Sequence, residues 1–143
     1  MSYIVLEGAT VIDGTGRSPM EGCSVIVKDG RMEKVAKAEG GLPTGARRIS
    51  VSGMTVMPGL IDAHLHLSHS DEPTQDAVKK AVSRFIAWPS SYTLTAYVNG
   101  MKCLEAGFTA VRDCGFQGDS IYALKDAINS GMLTGPKIQA GGG

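Results

Sequence analysis

The sequence predicts an α/β fold in which a small β layer is followed by strands that alternate with helices. Three observations carry that expectation. Residues 1–57 break into short apolar or β-branched runs joined by turn residues, whereas strand-length runs alternate with helical stripes from Pro58 onward. Glycine fills 19 of 143 positions, roughly twice its average share of about 7%, so many connections are tight. Alternation of this kind predicts a parallel sheet with crossover helices, either doubly wound or closed into an eight-fold barrel.

The elements follow in order. Tyr3–Leu6 and Ala9–Ile12 read as two strands separated by Glu7-Gly8, and Asp13-Gly14-Thr15-Gly16 closes the second as a turn. Ser24–Val27 and Met32–Ala36 read as a hairpin around Lys28-Asp29-Gly30-Arg31, because Asp-Gly readily takes the positive φ angles of a type I′ turn. Residues 39–45 have a loop composition, and Arg48–Ser52 alternates again. Residues 1–57 therefore form an N-terminal β layer, and 58–143 a βα segment.

In that second segment, Leu60–Leu67 is a strand-length apolar run interrupted by Asp62, His64 and His66. Thr74–Trp88 switches to helical spacing, with Val78, Val82, Phe85 and Ile86 on one stripe, and Pro89 stops it. Trp88 either lines a pocket or packs on the sheet layer, the second being the commoner fate of such an aromatic. A second stripe, Leu94, Tyr97, Val98, Met101 and Leu104, ends at Gly107 as a left-handed cap before the strand Phe108–Arg112. Asp119 can cap a third helix carrying Ile121, Leu124 and Ile128, closed by Gly131, and Gly135-Pro136 introduces the strand Lys137–Ala140. A closed barrel of this type needs about 250 residues. The chain offers three strands, and Gly141-Gly142-Gly143 has the composition of a loop, so a truncated chain is expected.

Composition narrows the partners. Fourteen basic against fourteen acidic residues leave no electrostatic footprint for a polyanion, which disfavours nucleic acid and anionic membrane surfaces and favours a small molecule. With 43% apolar and 20% charged residues the chain can bury a core. No run reaches the roughly 18 apolar residues of a membrane span. Three cysteines, Cys23, Cys103 and Cys114, fit neither a disulfide framework nor a zinc ribbon, and thiols in a reducing cytoplasm are expected.

The chemistry concentrates in Met57-Pro58-Gly59-Leu60-Ile61-Asp62-Ala63-His64-Leu65-His66-Leu67. Side chains alternate faces along a strand, so His64 and His66 point the same way, about 7 Å apart. Neutral imidazole suits zinc and other borderline divalent metals. Two polar residues satisfied by hydrogen bonds at a strand end are the plainer alternative. Asp62 shares their face, as a residue that orients the site or bridges to a neighbouring strand. His69 could return to the strand mouth by a loop as a further ligand, or stand there on the substrate side or as a solvated residue. Asp113 ends the second strand, where barrels display functional groups, although an Arg112-Asp113 ion pair on the rim is as plausible. Cys114 reads as a small half-buried thiol.

Four ordered motifs carry a resemblance: Asp13-Gly14-Thr15-Gly16, the segment from Met57 to His66, Gly107-Phe108-Thr109-Ala110-Val111-Arg112-Asp113-Cys114-Gly115, and Gly135-Pro136-Lys137-Ile138. In these the chain resembles the amidohydrolase superfamily of metal-dependent hydrolases, over essentially its whole length. The resemblance implies the N-terminal part of a TIM-type (β/α)8 barrel: residues 1–57 contribute to a composite β-sandwich and 58–143 are the first three βα units. It also implies that His64 and His66 bind a divalent metal, with zinc the first candidate and one or two ions present; Asp62, His69 and Asp113 keep the possible orienting or substrate-side roles that their positions suggest. The family's bridging lysine or acid, its later histidines and its proton-transfer aspartate have no counterpart here. Lys137 lies on the third strand and is not assigned the bridging role, and the proton-transfer carboxylate is expected beyond Gly143. The implied activity is hydrolysis of an amide or peptide-like C–N bond by a metal-activated water, on a small amide or dipeptide; the wording around His64 is closest to the dipeptidase and imidazolonepropionase-like branch. A C-terminal remainder or a homo-oligomer would cover the open sheet. The rival expectation is a non-catalytic metal-binding or interaction module.

Overall fold

The computed structural model describes residues 2–37, 41–69, 74–115 and 118–141. Glu39, Gly40, Gly142 and Gly143, read above as loop, lie outside the described residues. The chain divides into two compact units, Met1–Pro58 and Gly59–Gly143.

The first unit is a five-stranded sheet of β1 (Tyr3–Val11), β2 (Met20–Lys28), β3 (Arg31–Lys37), β4 (Arg47–Ser50) and β5 (Thr55–Val56), in the order β3-β2-β1-β4 with β5 also on β1. The Asp-Gly hairpin forms as expected: Lys28 pairs Arg31, and Asp29 and Gly30 both take positive φ, 46° and 78°. The expected break at Glu7-Gly8 is instead a bulge inside one continuous strand. Gly8 has φ +79°, and the register on β2 shifts between Leu6 and Ala9, so the ladder absorbs an extra residue without ending. Ala9, Val11, Cys23 and Val25 form the core of this unit. In the Asp13-Gly14-Thr15-Gly16 turn, Asp13 Oδ1 accepts from the Thr15 hydroxyl at 2.6 Å and the Thr15 N–H at 2.9 Å. These bonds hold its carboxyl below the ordinary carboxylate range.

The second unit is a parallel three-stranded sheet, β6 (Leu60–Leu65), β7 (Phe108–Asp113) and β8 (Lys137–Ala140), in sequence order with β7 central. Its helices are α1 (Gln75–Ala87), α2 (Ser91–Glu105) and α3 (Ser120–Asn129). Leu67, Ala96, Val111, Ile121, Leu124 and Ile138 form its core. Gly107 takes φ +92° between α2 and β7, the left-handed conformation its place demands. At the start of β6, a Cβ on Gly59 would overlap the Thr109 side chain, so the Pro58-Gly59 pair is set by the close approach of β7.

Four expectations are corrected here. The apolar stripes of α1 and α2 are buried only in part: on α1 Phe85 is buried together with Ala81 while Ile86 is 76% exposed, and on α2 Tyr97 packs on the core while Leu94 is 67% exposed and the buried positions are Ala96 and Gly100. Ala96 and Gly100 lie four residues apart on one face of α2, and Gly100 stands beside Pro136, where a Cβ would make an ordinary contact at 3.6 Å. Trp88 does not pack on the sheet layer; it is the C-cap residue of α1 and 68% exposed. Asp119 occupies the N-cap position of α3 but makes no side-chain cap bond, because φ −93°, ψ 5° is not the extended conformation that aims a cap at the first turn. Thr74 has that conformation before α1, and its hydroxyl accepts from Ala77 N–H at 3.2 Å. Finally, the first strand stops at Leu65, and Leu67 and Ser68 are buried in the turn that follows.

Candidate metal centre

β6 is an edge strand whose residues are exposed or half-buried throughout. His64 lies on it and His66 one residue past its end, both exposed, with ring centroids 5.6 Å apart and edge-to-face. His69 joins them, its ring 5.7 Å from that of His66. The Asp62 carboxylate accepts the His64 N–H at 2.9 Å, two residues along its own strand. It thereby braces the backbone that carries the first histidine. Asp62, His66 and His69 also line a cavity of about 550 Å³ with Asn99, Lys102 and Cys103.

The ring of His66 is oriented by one hydrogen bond: its Nδ1 lies 2.8 Å from the carbonyl oxygen of Gly115. A carbonyl only accepts, so Nδ1 carries the proton and Nε2 keeps its lone pair. That is the tautomer of a histidine that ligates a metal through Nε2.

The turn after β6 is held from two sides. Asn99 on α2 donates its Nδ2 to the carbonyls of Leu67 and His69, at 2.8 and 2.9 Å, and His69 N–H closes on His66 O at 3.1 Å. From the other side, Asp113 at the end of β7 is 0% exposed; its Oδ2 accepts Leu67 N–H at 2.8 Å and its Oδ1 accepts Gly115 N–H at 2.9 Å. A rim ion pair with Arg112 is therefore not its role, and neither is contact with solvent-borne substrate: both carboxylate oxygens are spent on backbone. Cys114 is half-buried, with its N–H on Leu65 O at 2.9 Å and its Sγ 3.9 Å from Arg112 O.

Imidazole nitrogen is the right donor for zinc or a similar divalent ion, and His64 and His66 fit as two members of such a set. Among the described residues, no group of three or more His, Cys, Asp and Glu side chains is placed to hold an ion. Among the described residues, Asp62, His69 and Asp113 are not grouped with the pair in such a set. Asn99 and Gly115 were not singled out from sequence. An amide in the middle of an otherwise apolar helical stretch was the available signal for Asn99; nothing in the sequence marks a carbonyl such as that of Gly115.

Residues 55–143 match the amidohydrolase family, and the chain belongs to it. Over 99% of its length it is 28% identical to a 5-methylthioadenosine/S-adenosylhomocysteine deaminase of Symbiobacterium thermophilum, of which it spans 35%. A prolidase solved with N-methylphosphonate-L-proline superposes on 97% of the chain with a TM-score of 0.76 and 28% identity, and 31% of that protein is covered. Phenylurea hydrolase B, at 24% identity, shares the fold with a TM-score of 0.82 over 98% of this chain and 31% of its own. The chain thus spans about a third of the length of these relatives.

Proposed function

We propose that this chain is the N-terminal part of a metal-dependent amidohydrolase that hydrolyses a C–N bond in a small amide or dipeptide with a metal-activated water. The observation that carries this reading is the His64–His66 pair, with the His66 ring held by Gly115 so that Nε2 stays available. Family membership supports it, and so does the deaminase and prolidase chemistry named for its relatives. In this reading residues 58–143 are the first three βα units of a (β/α)8 barrel, and residues 1–57 contribute to a composite β-sandwich. Further ligands and the proton-transfer carboxylate come from strands outside the described residues.

Bound here, a divalent ion, zinc before others and one or two in number, would lower the pKa of a water towards neutrality and polarise the substrate carbonyl. His64 and His66 would hold it, with Asp62 bracing the backbone at His64 and Gly115 the ring of His66. Lys102 and His69 line the adjacent cavity, where they could meet a carboxylate of a dipeptide substrate. No helix among the described residues is long and apolar enough to cross a membrane. We place the enzyme in the cytoplasm because an odd, unpatterned set of three cysteines suits a reducing compartment.

The test is metal content and hydrolysis in the full-length protein, with Xaa-Pro dipeptides and N-acyl amino acids as substrates. Changing both His64 and His66 to Ala should abolish bound zinc and activity. Activity retained by that variant would refute the assignment, and zinc bound by the wild type without any hydrolysis would favour the non-catalytic module.

A further inference from the structure

We propose that Asp113 is the positioning residue for His66, acting through the backbone of Leu67 and Gly115. The inference rests on the reading of His66 as a metal ligand and adds a residue to it. Three hydrogen bonds make a closed ring. One oxygen of the Asp113 carboxylate holds the N–H of Leu67, the peptide group immediately after His66, at 2.8 Å. The other holds the N–H of Gly115 at 2.9 Å, and the carbonyl of Gly115 meets His66 Nδ1 at 2.8 Å. A single carboxylate thus fixes the backbone that carries the imidazole and the acceptor that orients it.

The arrangement suits a carboxylate and no other side chain of that size. Both facing groups are donors, and an ionised carboxylate offers acceptors only. It is 0% exposed, so no water can substitute for a lost partner without rearrangement. The neighbouring backbone is tied in as well: Cys114 N–H bonds Leu65 O at 2.9 Å, and Gly141 N–H bonds Asp113 O at 2.6 Å. The end of β6 therefore takes its position from β7, and His66 inherits it. Groups that orient a ligating histidine from outside the coordination shell typically change metal affinity by about 10–100-fold when lost.

The test replaces Asp113 by Asn in the full-length protein. An asparagine presents one acceptor and one NH2 group, so it can serve only one of the two backbone donors and opposes the other. Asp113→Ser is the second variant, smaller and able to admit a water, and Leu124→Ala is the control for a general loss of core packing. Two quantities are read: the tautomer of His66 by 15N NMR without metal, and zinc affinity by competition with a chromogenic chelator.

The expected result is Nδ1–H His66 in the wild type and in Leu124→Ala, a mixed tautomer in whichever Asp113 variant folds, and zinc affinity about 10–100-fold weaker in that variant alone. An Nε2–H wild type, an Asp113 variant with the wild-type tautomer, or an equal loss of zinc affinity in Leu124→Ala would overturn the proposal. The tautomer readout needs no metal. If the wild type binds no zinc at His64 and His66, the ligand reading fails while the orienting role of Asp113 still stands or falls on its own data.

Discussion

β6 and β7 are adjacent parallel strands of six residues each, and they divide the labour of the site. β6 is the edge strand: Ile61 is 71% exposed, and the histidines at its end are exposed too. β7 is central, with Val111 and Asp113 buried. The strand that displays donor groups contributes little to the core. The strand that supplies the buried anchor displays none. Reactive groups can stand in solvent and keep a fixed position when their backbone is tied to a more rigid neighbour.

Substitutions can break that comparison, beginning with the largest expected effect. Val111→Ala should destabilise the second unit by roughly 1.5–3 kcal/mol, since a valine fully withdrawn from water is lost from the centre of the sheet. Urea unfolding followed by circular dichroism measures it, and a loss below that range would mean that the sheet centre is not where the stability lies. Asn99→Ala should cost about 1 kcal/mol, the worth of an amide that bridges the carbonyls of Leu67 and His69. Its clearer signature is local: amide hydrogen exchange should rise at His69 while remaining slow in β7. Uniform acceleration across both strands would show that the turn and the sheet open together. Smallest of all, in the chain of residues 1–143 Ile61→Ser should shift stability by no more than about 0.5 kcal/mol, as for other exposed positions. In the proposed full-length barrel, where a further strand covers β6, thermal melts should show a larger penalty, and an equally small one there would count against that barrel.

The two histidines were legible as neighbours because the cue is local, two residues apart, and their rings lie 5.6 Å apart; strict alternation is not kept, since the register on β7 shifts between Asp62 and Leu65 and His66 lies past the strand end. The Asp29-Gly30 hairpin was legible for the same reason, since two positive φ angles are a property of the turn itself. Asp113 was not. Whether an aspartate after an arginine ends in a rim ion pair or buried under two N–H groups depends on a turn 46 residues earlier in the chain. The helix faces were legible in part: Phe85 of the α1 stripe is buried and Tyr97 of the α2 stripe packs on the core, while Leu94 and Val98 stay exposed and the fully buried positions of α2 are the small residues Ala96 and Gly100. A search for a stripe of large apolar side chains passes over a glycine that packs.

Gly59 has a consequence that reaches the histidines five and seven positions further on. Only a residue with no side chain fits beside Thr109 at the entrance to β6. If the strand slid by one position against β7, Pro58 or Leu60 would be forced into that gap, so the pairing is fixed at the entrance to β6, ahead of the register shifts the strand takes between Leu60 and Ile61 and between Asp62 and Leu65. The missing methyl group at 59 therefore acts as an alignment mark. It fixes where β6 begins against β7, and the two later shifts in register then set the course of the strand towards His64 and His66.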